Sequence, residues 1–153
     1  MITYSPEETR ALGARLSGQL RAGDVVLLRG DLGAGKSELA RGIARGLGVT
    51  ETVTSPSFTI LNVYASGSAP LYHFDWYRIE DEEELWELGV QDYLGGDGIA
   101  LIEWPERAPG WIPDTCLEIL IEPAGETERT ITLLRRGAFR PVSADARGQE
   151  TEA

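Results

Sequence analysis

An α/β fold, with a mixed and mostly parallel sheet flanked by helices, is predicted by three adjoining features of this 153-residue sequence. The first is Asp24-Val25-Val26-Leu27-Leu28-Arg29, an apolar, β-branched run without alternation, which reads as a strand buried on both faces. The second is the glycine-rich stretch that follows it, Gly30-Asp31-Leu32-Gly33-Ala34-Gly35-Lys36-Ser37. The third is the recurrence of Leu39, Ala40, Ile43, Ala44 and Leu47 at helical spacing, with Gly48 as the stop. Strand, glycine loop and helix in that order form the phosphate-binding unit of P-loop nucleoside triphosphatases.

The remaining elements follow in chain order. Ser5-Pro6-Glu7-Glu8 is a helix start: Ser5 caps, Pro6 suits the first helical position and Glu8 closes a capping box. Leu12, Leu16 and Leu20 then mark one apolar edge, and Arg21-Ala22-Gly23 ends the helix. After the glycine loop and its helix, residues 53–59 are hydroxyl-rich and broken by Pro56, hence a loop, and Phe58 to Tyr64 alternates as a strand. A turn at residues 65–70 returns the chain through Leu71-Tyr72-His73-Phe74-Asp75, which predicts an antiparallel hairpin. Asp81 to Leu88 reads as a short acidic helix whose charges form a solvated face or, alternatively, a partner-docking surface. Ile99-Ala100-Leu101-Ile102-Glu103 is a buried strand ending in an acid, and Pro105 to Pro113 is irregular. Cys116 to Ile121 and Arg129 to Leu134 form a second antiparallel pair, joined through Pro123-Ala124-Gly125. Beyond Gly137 the apolar pattern stops. The expected division is therefore one folded domain over residues 1–137 and a disordered tail over 138–153.

Bulk composition narrows the function. With 25 acidic and 14 basic residues, the net charge is −11, which disfavours direct contact with much of a nucleic acid, because phosphates need clustered Lys and Arg. Any link to RNA is expected to run through a basic partner. A single cysteine, Cys116, cannot form an internal disulfide and suits a reducing cytoplasm, where it reads as a small core residue. The first residues carry no signal-peptide pattern, and no apolar run approaches a membrane span.

The chemistry concentrates in and after the glycine loop. The stretch fits G-x-x-x-x-G-K-S/T: its backbone N–H groups point at one anion, Lys36 reaches the β- and γ-phosphates, and the Ser37 hydroxyl ligates magnesium. The following helix adds its dipole. Hydrolysis also needs an acid for the metal and a group that places water. Two strands end in acids, Asp75 and Glu103, and strand ends are where α/β sheets bind ligands; spacing alone does not decide which acid is the metal ligand. His73 shares a strand face with Asp75, either as a satisfied buried histidine or as its orienter or proton shuttle. Trp104 stacks near a nucleotide or lies in the core, while Arg78 and Arg107 are candidate γ-phosphate partners or ordinary surface cations. Two other readings keep the same loop: a small-molecule kinase, for which no basic lid is visible, and a nucleotide-dependent binding module that does not hydrolyse.

Four segments together resemble the TsaE family, the bacterial ATPase subunit of the tRNA threonylcarbamoyladenosine-modification machinery. They are Gly-Asp-Leu-Gly-Ala-Gly-Lys-Ser at 30–37, Ser-Pro-Ser-Phe-Thr at 55–59, His-Phe-Asp-Trp-Tyr-Arg at 73–78 and Ile-Glu-Trp-Pro-Glu-Arg at 102–107. The resemblance covers about residues 3–135. It implies a cytoplasmic ATPase using ATP and Mg²⁺ that acts with TsaD, the threonylcarbamoyl transferase, and TsaB, with tRNA contacted only indirectly. It implies nucleotide contacts from Gly33, Ala34, Gly35, Lys36, Ser37, Glu38 and Trp104, a magnesium ligand at Glu103 beside Ser37, and an essential carboxylate at Asp75. Residues 54–59 are then a loop that senses the γ-phosphate. Thr9 and Arg129 are similar to family positions that approach the nucleotide. Ser37 and Ser57 stand where the family more often has threonine, which keeps the hydroxyl, and Trp76 stands where it has leucine, a change expected in the core.

Overall fold

The computed structural model describes residues 1–143 apart from Ser57. Its elements run β1 (Ile2–Thr3), α1 (Pro6–Ser17), β2 (Val25–Arg29), α2 (Lys36–Gly46), β3 (Leu61–Tyr64), β4 (Leu71–Asp75), α3 (Glu83–Glu87), β5 (Ile99–Glu103), β6 (Cys116–Pro123) and β7 (Arg129–Arg136), with single 3₁₀ turns at Val90–Asp92, Pro105–Arg107 and Pro109–Trp111. The strands form one sheet in the order β1-β7-β6-β2-β5-β4-β3. The four central strands, β6, β2, β5 and β4, are parallel, and β1, β7 and β3 add antiparallel edges. The predicted mixed sheet is thus observed, as are the hairpin β3–β4 and the pair β6–β7.

Helices α1 and α2 cover one sheet face, burying Leu12, Leu16, Leu39 and Ile43 against Val26, Leu28, Leu101 and Ile119. The opposite face buries Leu27, Phe74, Trp76, Ile102 and Cys116 under Ile79, Leu85, Val90 and Ala108. Trp76, the position where the family resemblance gave leucine, is fully buried, its ring centroid 6.0 Å from that of Phe74. Cys116 is a buried free thiol whose pKa is raised by burial.

Local chemistry explains the helix ends. The Ser5 hydroxyl accepts the Glu8 N–H at 3.1 Å and Pro6 occupies the first turn, as predicted. The far end of α1 differs: the helix stops at Ser17 rather than reaching Leu20. The Ser17 hydroxyl turns back to the Ala14 carbonyl at 2.7 Å and glycine follows, which disfavours continuation. Leu20 nonetheless packs on the core from the turn beyond. Similarly, β3 starts at Leu61 instead of Phe58, because Ile60 closes a turn on the Pro56 carbonyl at 2.8 Å with φ +68°. At the end of α2, Gly48 takes φ +85° and Val49 N–H reaches the Ala44 carbonyl at 3.0 Å, a glycine stop of the expected kind.

Where α1 crosses α2, the two backbones touch. A Cβ on Gly42 lies 2.1 Å from the Arg10 carbonyl oxygen, and one on Gly13 lies 2.6 Å from that of Leu39. Backbone atoms cannot yield as a flexible side chain can. Overpacking of this kind costs about 1–3 kcal/mol. Gly42→Ala is therefore expected to lower the thermal melting temperature by several degrees; an unchanged melting curve contradicts the backbone contact.

The boundary expected after Gly137 needs correction. Phe139 and Val142 are buried beside α1, Arg140 donates to Asp24 Oδ1 at 3.0 Å, and Ser143 N–H donates to Gln19 Oε1 at 2.8 Å. Phe139 and Val142 alone leave no periodic trace, yet both join the buried cluster that holds Leu12 and Leu16. The rest of the tail, 144–153, lies outside the described residues. Ending the chain after Gly137 should remove about 3 kcal/mol or more of apolar burial, read as a clear drop in melting temperature.

Candidate nucleotide-phosphate site

At the carboxyl ends of the parallel strands, a cleft of about 250 Å³ opens between the glycine loop and the acids that end β4 and β5. Gly33, Gly35, Lys36 and Ser37 line one side, and Asp75, Glu103 and Trp104 the other. The loop takes this path because Gly33 adopts φ +80° and Gly35 φ +109°, the latter capping α2 at the point where the helix begins with Lys36. A Cβ on Gly30 sits 2.7 Å from the Ile121 carbonyl oxygen, so the loop leaves the sheet in close contact with β6.

Lys36 is only 6% exposed, with Nζ 3.7 Å from the centroid of the Trp104 ring and without a hydrogen-bond partner among the described residues. Trp104 reaches over it from a backbone at φ +57°, braced by the Tyr77 ring at 4.8 Å. Burial pushes the Lys36 pKa down, opposed by the charges of Glu103, Asp75, Glu106 and Asp31. A buried ammonium with unfilled donors is costly unless an anion completes it. Ser37, next in the helix, is exposed at the cleft.

Asp75 and Glu103 are the last residues of β4 and β5, stand opposite each other in the parallel register, and are both buried. The Asp75 Oδ1 accepts the Tyr77 N–H at 2.9 Å. His73 does not orient Asp75: its Nε2 lies 2.7 Å from Oε2 of Glu103.

Other residues named from the sequence lie further out. Arg129 grips the loop from behind, donating from Nε to the Ala34 carbonyl at 2.8 Å and from Nη1 to the Glu128 carbonyl at 2.8 Å. Thr9 is buried with its hydroxyl 2.8 Å from that of Thr3. The Glu38 carboxylate is held by Arg10 and Arg41. Thr9, Glu38 and Arg129 border a separate cavity of about 80 Å³ beside Gly35. Arg78 lies over the Phe58 ring at 4.6 Å and Arg107 over Tyr77 at 5.2 Å; neither lines the cleft. Two lining residues carried no sharp individual signal in the sequence, Leu32 at the exposed loop tip and Ser55 in the hydroxyl-rich segment. Ser57 of that segment lies outside the described residues.

The donor set fits magnesium with a nucleotide. A hydroxyl and one or two carboxylates offer hard oxygen ligands, and Mg²⁺ is ordinarily held by such groups together with substrate phosphates and water. Among the described residues, no group of three or more His, Cys, Asp or Glu is placed to hold a metal unaided. No described helix is long and apolar enough to cross a membrane.

A mixed α/β sheet, a glycine loop entering a helix with Lys and Ser, and acids at the neighbouring strand ends define a protein of the P-loop class. The model of the family "Threonylcarbamoyl adenosine biosynthesis protein TsaE" matches residues 3–131, and the chain belongs to that family. It is 45% identical over 135 residues to the tRNA threonylcarbamoyladenosine biosynthesis protein TsaE of Bacillus subtilis (strain 168), covering 88% of this chain and 84% of that one. The protein of the same name from Treponema pallidum (strain Nichols) is 37% identical over 132 residues, covering 86% and 97%. The crystal structure of Bacillus subtilis YdiB superposes with a TM-score of 0.79 at 40% identity, over 90% of this chain and 84% of that one. The family read from the four sequence segments is the one these comparisons find.

Proposed function

We propose that this chain binds ATP with magnesium in the cleft and hydrolyses it, as a cytoplasmic accessory subunit working with TsaD and TsaB in tRNA threonylcarbamoyladenosine biosynthesis. The observation that carries this reading is Lys36: a buried ammonium without a hydrogen-bond partner among the described residues, at a helix N-terminus, facing two buried carboxylates. The backbone N–H groups of 33–37 and Lys36 hold the phosphates, with Ala34 and the α2 dipole contributing from the loop. Ser37 and Glu103 hold magnesium, which when bound supplies charge stabilisation to the phosphoryl oxygens. Asp75 orients or polarises the attacking water. Trp104 lifts from Lys36 as the phosphates enter, and the 54–59 segment responds to the γ-phosphate through Ser55. Arg129, Thr9 and Glu38 support the nucleotide from the loop's rear.

The acidic surface, net charge −11, suits a basic protein partner better than tRNA itself. The reading is tested by following ATP with the purified protein and a broad panel of small acceptors. Release of ADP and inorganic phosphate, dependent on magnesium, is expected. A phosphorylated acceptor in place of free phosphate makes the chain a kinase and overturns the proposal.

A further inference from the structure

We infer that His73 is a positioning residue for the metal site: its Nε2–H holds one oxygen of the Glu103 carboxylate and so leaves the other free for the cation. This rests on the proposed magnesium role of Glu103. The contact follows from register. In the parallel pair β4–β5, His73 lies opposite Leu101 and Asp75 opposite Glu103, so Glu103 leans back along β4 to meet His73 diagonally. Both partners are buried, the histidine 2% exposed and the glutamate 5%, and Nε2 and Oε2 are 2.7 Å apart.

The tautomer follows from what surrounds the ring. Nδ1 is buried and has no hydrogen-bond partner among the described residues. A proton there leaves a buried donor unmet and aims the Nε2 lone pair at a carboxylate, two penalties at once. With the proton on Nε2 the ring donates to Oε2 and keeps only an unmet acceptor at Nδ1. No described residue gives Oε1 a hydrogen bond, and Glu103 lines the cleft. Without His73, the carboxylate beside Asp75 is free to rotate away from a like charge on the adjacent strand. Partners that fix a ligand's orientation in this way typically change metal affinity or activity by about 10–100-fold when removed.

Two variants of similar polarity separate position from packing. In His73→Gln the side-chain amide nitrogen reaches about as far as Nε2; in His73→Asn it stops short, near Nδ1. Magnesium is titrated against binding of a fluorescent, non-hydrolysable ATP analogue, with Glu103→Gln as the reference and thermal melting as the check on folding. The expected result is a magnesium midpoint raised about 10-fold in His73→Asn, close to the wild-type value in His73→Gln, and analogue affinity without magnesium unchanged in both. A midpoint moved in Glu103→Gln but unmoved in His73→Asn overturns this inference alone, as does an equal shift in both His73 variants. A midpoint unmoved in Glu103→Gln overturns the metal role of Glu103 and this inference with it.

Discussion

Lys36→Ala is expected to abolish productive ATP use, with turnover reduced by at least about 10²-fold, the ordinary cost of removing one preorganised group that meets developing charge. No other loop residue brings a cation to the β- and γ-phosphates, and Arg78 and Arg107 lie over aromatic rings and do not line the cleft. Stability should move the other way. The folded-state pKa of Lys36 is depressed by burial, so between that value and the unfolded 10.5 the unfolded chain binds the extra proton and stability rises with pH. Lys36→Met keeps the stem over Trp104 and drops the charge. It is expected to melt, without nucleotide, no lower than wild type at neutral pH, and to lose that alkaline rise. Near-normal turnover in a folded Lys36→Ala protein removes the loop from the mechanism.

Asp75→Asn is the second large effect. Removing a group that orients or polarises the attacking water costs about 10²–10⁴ in rate, and nucleotide affinity with its magnesium midpoint should stay near wild type. The amide keeps an oxygen that can accept the Tyr77 N–H, so the turn after β4 survives. Glu103→Gln should instead raise the magnesium midpoint, since an amide oxygen is a weaker ligand for a hard cation. Magnesium titration of both variants, read by analogue binding and by phosphate release, separates the roles. A midpoint shifted by Asp75→Asn alone reverses them.

Much of this was legible because it is contiguous in the chain. The run 24–29, the glycine loop and the apolar spacing after it lie within one stretch, and the strand ending at Glu103 needs no partner to be read. What escaped the sequence depends on distant neighbours. A two-residue strand, Ile2–Thr3, exists only because β7 offers it an edge. Phe139 and Val142 are too few to show a period, and they are buried only through the cluster they share with residues distant in sequence. The burial of Lys36 depends on the left-handed backbone at Trp104, sixty-eight positions away in sequence. Arg129 signalled nothing about the loop carbonyls it grips. His73 was paired with Asp75 by its strand period, but the parallel neighbour brought Glu103 nearer.

The central claim, an ATPase that is completed by its partners, is tested most directly by steady-state ATP turnover of the purified chain, alone and then with TsaD and TsaB. Among the described residues, Lys36 is the only cation in the cleft lining, and an arginine supplied from outside can contribute about 10³–10⁵ in rate. Turnover is expected to be slow alone and strongly stimulated by the pair, the stimulation weakening at high salt and vanishing in Lys36→Ala. Rapid hydrolysis by the isolated protein, unaltered by the partners, contradicts it.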